Sequence, residues 1–238
     1  MKINKLAFRF LFSFLFICSI SIYSQNSVKN KYGLNVINNL NEYKKLVEED
    51  STEDLINLQE LIPGIKLDIR YATKNNFLGK SVYDTAMAYL RLPAAKALLE
   101  VQNELKKKGL GLKIFDAYRP YSVTVEFYET YKDTTYVASA WHGSRHNRGC
   151  AVDLTLVNLN TGKELKMPTA FDDFTEKAYS NNNNLPKEVI KDRSILKTVM
   201  EEHGFKNYPY EWWHFDFNGW KNYELLDLNF RQLGYLKN

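Results

Sequence analysis

The sequence predicts an α+β fold, a single domain in which a central antiparallel sheet is flanked by helices. Two observations carry this expectation. Stretches with helical spacing are interspersed with short apolar runs of strand type, without the regular βαβ repeat of a doubly wound sheet. The 238-residue chain, less an apolar leader, leaves about 214 residues, which suits one domain. No internal repeat is visible.

The chain opens Met1-Lys2-Ile3-Asn4-Lys5, followed by Arg9 and an apolar run from Leu11 to Tyr23 that only Ser13, Ser19 and Ser21 interrupt. A charged segment followed by a short apolar one is the pattern of a signal peptide, here residues 1–24. The run is too short and too serine-rich for a permanent membrane span. Bulky Ile17 before Cys18 argues against lipid attachment. The expectation is an exported, periplasmic protein with no stable membrane insertion after cleavage. Residues 25–58 read as an N-terminal extension. Val36, Leu40, Tyr43 and Val47 give it one short amphipathic helix, lying as a solvated arm against the main domain, residues 59–238.

In that domain Leu61-Ile62-Pro63-Gly64 is a turn leading into an extended stretch, Ile65–Tyr71, with period-two alternation. Residues 92–108 form a helix: Pro93 fits its first turn, Lys106–Lys108 suit the negative end of its dipole, and Gly109 stops it. A strand at Leu112–Phe115 runs into Asp116-Ala117-Tyr118-Arg119-Pro120, and a second helix starts at Pro120 and reaches about Tyr131. Ala151–Val157 is a strand, Asn181–Asn184 a polar loop, and Glu188–His203 a helix closed by Gly204. A final strand continues from His214 through Phe215 and Phe217.

The formal net charge is +4. Losing Lys2, Lys5 and Arg9 with the leader brings it to about +1, which gives no electrostatic reason to expect nucleic acid or an anionic membrane as partner. Cys150 is then the sole cysteine, so no intramolecular disulfide can form, and an inert, partly buried thiol is expected. The 16 Tyr and 14 Phe fit a packed core. Nothing in the sequence assigns an oligomeric state.

Two segments carry chemistry: Ser144-Arg145-His146-Asn147-Arg148-Gly149-Cys150-Ala151-Val152-Asp153 and Glu211-Trp212-Trp213-His214. They supply two imidazoles, a carboxylate of ligand type and a second carboxylate three residues before a histidine. Three N/O ligands with an open fourth position, and a Glu nearby, make a catalytic zinc site and hence a metal hydrolase. Alternatives stand beside each residue. Asp153 interrupts an apolar strand and needs a cation, which a metal ion or Arg145 or Arg148 would supply. His142 and His146 have the i, i+4 spacing of two ligands on a helix, but Gly143 and Gly149 mark a loop, which weakens His142. Glu211 and His214 would face opposite sides of a regular strand, so both reach one site only through an irregular approach, which Pro209 permits. His203, just before Gly204, reads as a helix-end residue.

With these residues in view, the chain resembles the VanX-type D-alanyl-D-alanine dipeptidases, a branch of the zinc D,D-peptidases of family M15. The matching stretches occur in the family's order over roughly residues 60–220. They are Arg70-Tyr71-Ala72-Thr73 with Asn76-Phe77 and Gly79, Asp116–Pro120, Tyr136-Val137-Ala138-Ser139, Ser144–Leu156, Phe171-Asp172 and Glu211–His214. The resemblance implies that His146, Asp153 and His214 hold one zinc ion and that Glu211 is the general base. It implies that Arg119 stabilises the tetrahedral intermediate and Asp172 receives the substrate ammonium, with Ser144 and Tyr71 lining the pocket. The implied substrate is the small dipeptide D-Ala-D-Ala; the alternative is a D,D-carboxypeptidase or endopeptidase trimming peptidoglycan stems. His142 and Arg145 depart from the family, where small polar residues are usual, and Cys150 stands where Ser is frequent.

Overall fold

The computed structural model describes residues 29–234. The leader at 1–24 and its cleavage point lie outside the described residues. Thirteen elements follow in order: α1 (Leu40–Glu49), β1 (Leu55–Asn57), α2 (Leu58–Leu61), β2 (Lys66–Leu67), β3 (Tyr89–Arg91), α3 (Leu92–Lys107), β4 (Leu110–Asp116), α4 (Tyr121–Thr130), β5 (Ala151–Asn158), α5 (Lys187–Glu202), β6 (Phe205–Asn207), β7 (His214–Phe217) and α6 (Phe230–Gly234).

The main sheet has five strands in the order β2-β4-β5-β7-β6, and β1 pairs with β3 in a separate two-stranded ribbon. The expected α+β architecture is present. The pairings from β4 to β6 are antiparallel, but the edge strand β2 runs parallel to β4, so the sheet is antiparallel only in part. The extended stretch at 65–71 is also shorter than its alternation suggests. Only Lys66–Leu67 are in the sheet, and Arg70–Ala72 turn into a 3-10 helix. The reason is where the Tyr71 backbone bonds: its carbonyl accepts the N–H groups of Val82 and Tyr83 rather than those of a neighbouring strand. That turn drives the Tyr71 ring into the core, 3% exposed.

The helices follow the local signals. α3 has proline in its first turn and buries Ala94, Ala95, Leu98, Val101 and Leu105 on one face. Gln102 from the same face accepts the Leu112 N–H at 2.8 Å, tying helix to sheet. α4 begins directly after Pro120. His203 ends α5 and meets Glu104 of α3 at 3.0 Å, the helix-end role its position implies.

The segment before residue 59 shares this core. Ile37 exchanges backbone hydrogen bonds with Leu225 and Asp227. α1 starts at Leu40, capped by Asn39, and buries Tyr43, whose hydroxyl accepts the Leu55 N–H at 2.6 Å and donates to Asp54. Arg91, fully buried, then joins this segment to the rest. It pairs with Glu53 at 2.6 Å, its Nε donates to the Arg148 carbonyl at 2.9 Å, and its backbone N–H donates to the Gly149 carbonyl at 2.8 Å. Gly149 is required here. Its φ is +67°, and a Cβ would stand 2.6 Å from Leu55 Cδ2. The turn that carries His146 is thus wedged against β1 and β3.

Replacing Arg91 with Leu would leave the Glu53 carboxylate unpaired and the Arg148 carbonyl without its side-chain donor. Urea denaturation of Arg91→Leu is expected to show a loss of about 3–5 kcal/mol, the usual cost of breaking a buried pair from one side; unchanged stability would mean that Arg91 does not anchor the turn.

Candidate active site

The site is assembled by strand register. Asp153 of β5 and His214 of β7 are direct cross-strand partners, so both side chains leave the sheet on one face. His146 comes from a 3-10 turn, His146–Arg148, which Gly149 closes so that the chain reverses into β5. Glu211 arrives through two consecutive tight turns: its N–H donates to the Tyr208 carbonyl, and the His214 N–H donates to the Glu211 carbonyl. This irregular approach puts Glu211 on the same side as His214. Asn207 clamps it, its amide donating to the carbonyls of Glu211 and His214 at 3.1 and 2.9 Å.

Three ligand atoms converge. His146 Nε2 lies 3.2 Å from His214 Nδ1, which lies 2.9 Å from Asp153 Oδ1, and the third side, from His146 Nε2 to Asp153 Oδ1, is 3.5 Å. The ligands of a tetrahedral zinc, at bond lengths of 2.0–2.1 Å, stand about 3.3 Å apart. The triangle therefore has the size of one face of that tetrahedron, and its N, N, O donor set suits zinc. The imidazoles are also oriented for it. The far nitrogen of His146, Nδ1, donates to the Ala117 carbonyl at 2.6 Å, and that of His214, Nε2, donates to Asp216 Oδ1 at 3.0 Å. Each bond turns the lone pair of the other nitrogen toward the shared point. The residues fit the metal.

The charges agree with a cation at that point. Burial would raise the Asp153 carboxyl, but the imidazoles of His146 and His214 hold it well below the ordinary carboxylate range. Burial disfavours a charged His214, yet Asp216 and Asp153 lift its affinity for a proton well above that of a free imidazole. A buried group of carboxylates that draws in a proton this strongly also draws in a metal ion.

Glu211 is 7% exposed, and its Oε2 stands 3.7 Å from His214 Nδ1, beside the triangle. Burial pushes its carboxyl up to about 8, with His214 opposing and Asp153 and Asp172 adding to the rise. Arg119 is buried and fixed by Asp116, whose Oδ2 accepts both its Nε and Nη2 at 3.0 and 2.7 Å. Tyr83 donates to the other oxygen of Asp116 at 2.7 Å. Nη1 is the part of the guanidinium left to serve a substrate. Asp172 has φ of +61°, a left-handed conformation that costs energy in any non-glycine residue. Its oxygens accept the Tyr71 hydroxyl at 3.0 Å and the Phe77 N–H at 3.2 Å, and burial raises its carboxyl to about 7. Ser144 has two positions to hold: it lines the cavity, and its Oγ accepts the His146 N–H at 3.2 Å. Tyr71, Arg119, Ser144, Asp172, Glu211 and His214 all face one cavity of about 90 Å³.

All eight expected site residues therefore meet in one place. His142 is exposed and outside the ligand triangle. The arginine alternatives for Asp153 fall away: Arg145 leans toward Asp216, and Arg148 donates to the Tyr223 carbonyl. Three supporting residues were not singled out from the sequence: Asp116, Asn207 and Asp216. Asp216 had a usable signal, since on a strand it shares a face with His214 two residues earlier. Cys150 is buried, and burial pushes its thiol up to about 12, which disfavours the thiolate.

Over residues 51–231 the chain matches the M15 peptidase family, described as D-Ala-D-Ala dipeptidase. The protein belongs to that family. It is 33% identical over 175 residues to the D-alanyl-D-alanine dipeptidase of Escherichia coli K12, covering 74% of this chain and 90% of that protein. It is 33% identical over 181 residues to the D-alanyl-D-alanine dipeptidase of Enterococcus faecium, covering 66% of this chain and 88% of that one. A solved structure of the LdcB LD-carboxypeptidase aligns at a TM-score of 0.42 and 21% identity, over 71% of this chain and 70% of that chain. Every site residue of this M15 peptidase lies within the matched span.

Metal analysis of the purified protein is expected to find one zinc per chain, and His146→Ala to lose it. Asp216→Asn should keep the fold and weaken zinc by about 10–100-fold in a chelator competition, the usual effect of removing the partner of a ligand histidine. Undiminished affinity would show that Asp216 does not orient His214.

Proposed function

We propose that this M15 peptidase is a zinc dipeptidase that hydrolyses D-Ala-D-Ala to two D-alanines. The observation that carries the dipeptide reading is Asp172, a half-buried carboxylate in strained backbone on the wall of a cavity of about 90 Å³. Strain of this kind persists where the surroundings impose it and is concentrated at functional sites. A carboxylate so placed would pair with a substrate ammonium and favour a short peptide with a free N-terminus.

Zinc held by His146, Asp153 and His214 supplies Lewis acidity, which polarises a carbonyl and acidifies water. Glu211 takes the proton as water attacks the peptide carbonyl carbon, and returns it to the amine nitrogen as the C–N bond breaks. Burial raises the affinity of this carboxyl for a proton, which suits it to take one up and pass it on. Arg119, locked by Asp116, donates to the oxyanion as negative charge develops, with no reorganisation at the moment of reaction. Tyr71 and the Phe77 N–H aim the Asp172 carboxylate.

The proposal includes export. It is supported by the charged and apolar pattern of residues 1–24 and would place the enzyme where dipeptide is released from cell-wall material. No helix among the described residues is long and apolar enough to cross a membrane.

The test is D-alanine release by the mature protein, with and without chelator, from D-Ala-D-Ala, L-Ala-L-Ala and a pentapeptide ending in D-Ala-D-Ala. Zinc-dependent cleavage of the D,D-dipeptide alone is expected; cleavage of the pentapeptide instead would move the enzyme to trimming stem peptides. Glu211→Ala should retain zinc and lose about 10²–10⁴ in rate.

Asp172 gives a pH signature. Its raised carboxyl is neutral below about 7 and charged above, so KM should fall as pH rises through that value. Asp172→Asn should raise KM and flatten this dependence while kcat changes little. A KM profile unaltered by the substitution would remove Asp172 from ammonium binding.

A further inference from the structure

Past Ser144 and Arg145 the catalytic cavity adjoins a wider groove of about 490 Å³, and Thr134, Ala138, Ser144 and Arg145 line both. Trp220 forms part of its wall. Three cations gather over that one indole: the Arg145 guanidinium at 4.9 Å from the ring centre, Arg148 at 5.7 Å and the Lys221 ammonium at 5.6 Å. The carboxylate nearest Arg145 is Asp216, whose Oδ1 is engaged by His214 at 3.0 Å, while Glu224 acts on Arg148. Asp216 Oδ2 stands 3.6 Å from Arg145 Nε, beyond hydrogen-bond reach. Arg145 Nε is buried and has no hydrogen-bond partner, while 43% of the side chain is exposed. A guanidinium set over an indole, with no hydrogen-bond partner at Nε and only a loose ion pair to Asp216, is suited to receive a planar anion.

We infer that Arg145, braced on Trp220, receives a carboxylate carried by the leaving residue of the substrate. The inference rests on the dipeptidase reading and deepens it. Asp172 stands on one wall of the cavity as the partner of an ammonium, and Arg145 stands with Ser144 where the cavity meets the groove. A zwitterionic dipeptide lying across the metal site would meet opposite charge at each end. The carboxylate has two sources, the α-carboxylate of the leaving residue or an acidic side chain on it, and the width of the groove admits either.

The test uses zinc-loaded Glu211→Ala protein, in which hydrolysis is suppressed, and titration calorimetry with four peptides: D-Ala-D-Ala, its C-terminal amide, D-Ala-D-Glu and D-Ala-D-Gln. With Arg145 present, D-Ala-D-Ala is expected to bind about 10–100-fold tighter than its amide, the usual worth of hydrogen bonds to a charged group. Adding Arg145→Gln should erase that preference and leave the amide's affinity unchanged, which also shows that the pocket is intact. A preference confined to D-Ala-D-Glu over D-Ala-D-Gln, and lost in Arg145→Gln, would assign the site to a side-chain carboxylate. If Arg145→Gln does not fold, Arg145→Lys, which keeps the charge and loses the fork, should show a reduced preference. Equal binding of acids and amides, or a preference that survives both substitutions, overturns the inference and leaves the dipeptidase reading standing. If none of the four peptides binds a fully zinc-loaded protein, the dipeptidase reading fails and this inference falls with it.

Discussion

The antiparallel pairing of β5 with β7 is the constraint on which the site depends. It sets Asp153 opposite His214 although 61 residues separate them, and it brings their ligand atoms to 2.9 Å. A slip of one residue would turn His214 to the other face of the sheet and scatter the donors. β4 enforces the same geometry from the other side. Its register with β5 shifts between Ile114 and Asp116, and Asp116 then lies opposite Asp153, from where it holds Arg119.

The third ligand depends on packing rather than pairing. His146 sits on a turn, and a turn alone would not hold an imidazole to a fraction of an ångström. Arg91 and Leu55 press on the far side of that turn through the carbonyls of Arg148 and Gly149 and through the absence of a Cβ at Gly149. The segment before residue 59 is therefore part of the support of the metal site, since β1 and Glu53 position Arg91.

The polar groups around the metal form one connected system. Ala117 and Asp216 orient the two imidazoles, Asp116 fixes Arg119, and Tyr71 with Phe77 fixes Asp172. Burying so many carboxylates is unfavourable unless each has a partner. Here Asp116, Asp153, Asp172 and Asp216 each have one, and the remaining donor atoms converge at the triangle, where a cation fits.

The class of chemistry was legible in the amino-acid sequence. The spacing of His146 to Asp153 and of Glu211 to His214 pointed to a zinc site, and the family resemblance carried by the surrounding motifs implied which residues are ligands and which is the base. Pro93, Gly109, Pro120 and Gly204 marked helix boundaries because φ restriction and chain reversal are local properties. Which atoms face one another was set by folding. Alternation at 65–71 pointed to a long strand, and the 3-10 turn at Tyr71 arose because a distant loop, Val82–Tyr83, claims its carbonyl. The parallel edge β2, the roles of Asp116, Asn207 and Asp216, and the placing of Arg145 over Trp220 likewise depend on contacts between segments far apart in the chain. Local spacing fixes which groups are available; only register and packing fix the distances between them, and the site is made of those distances.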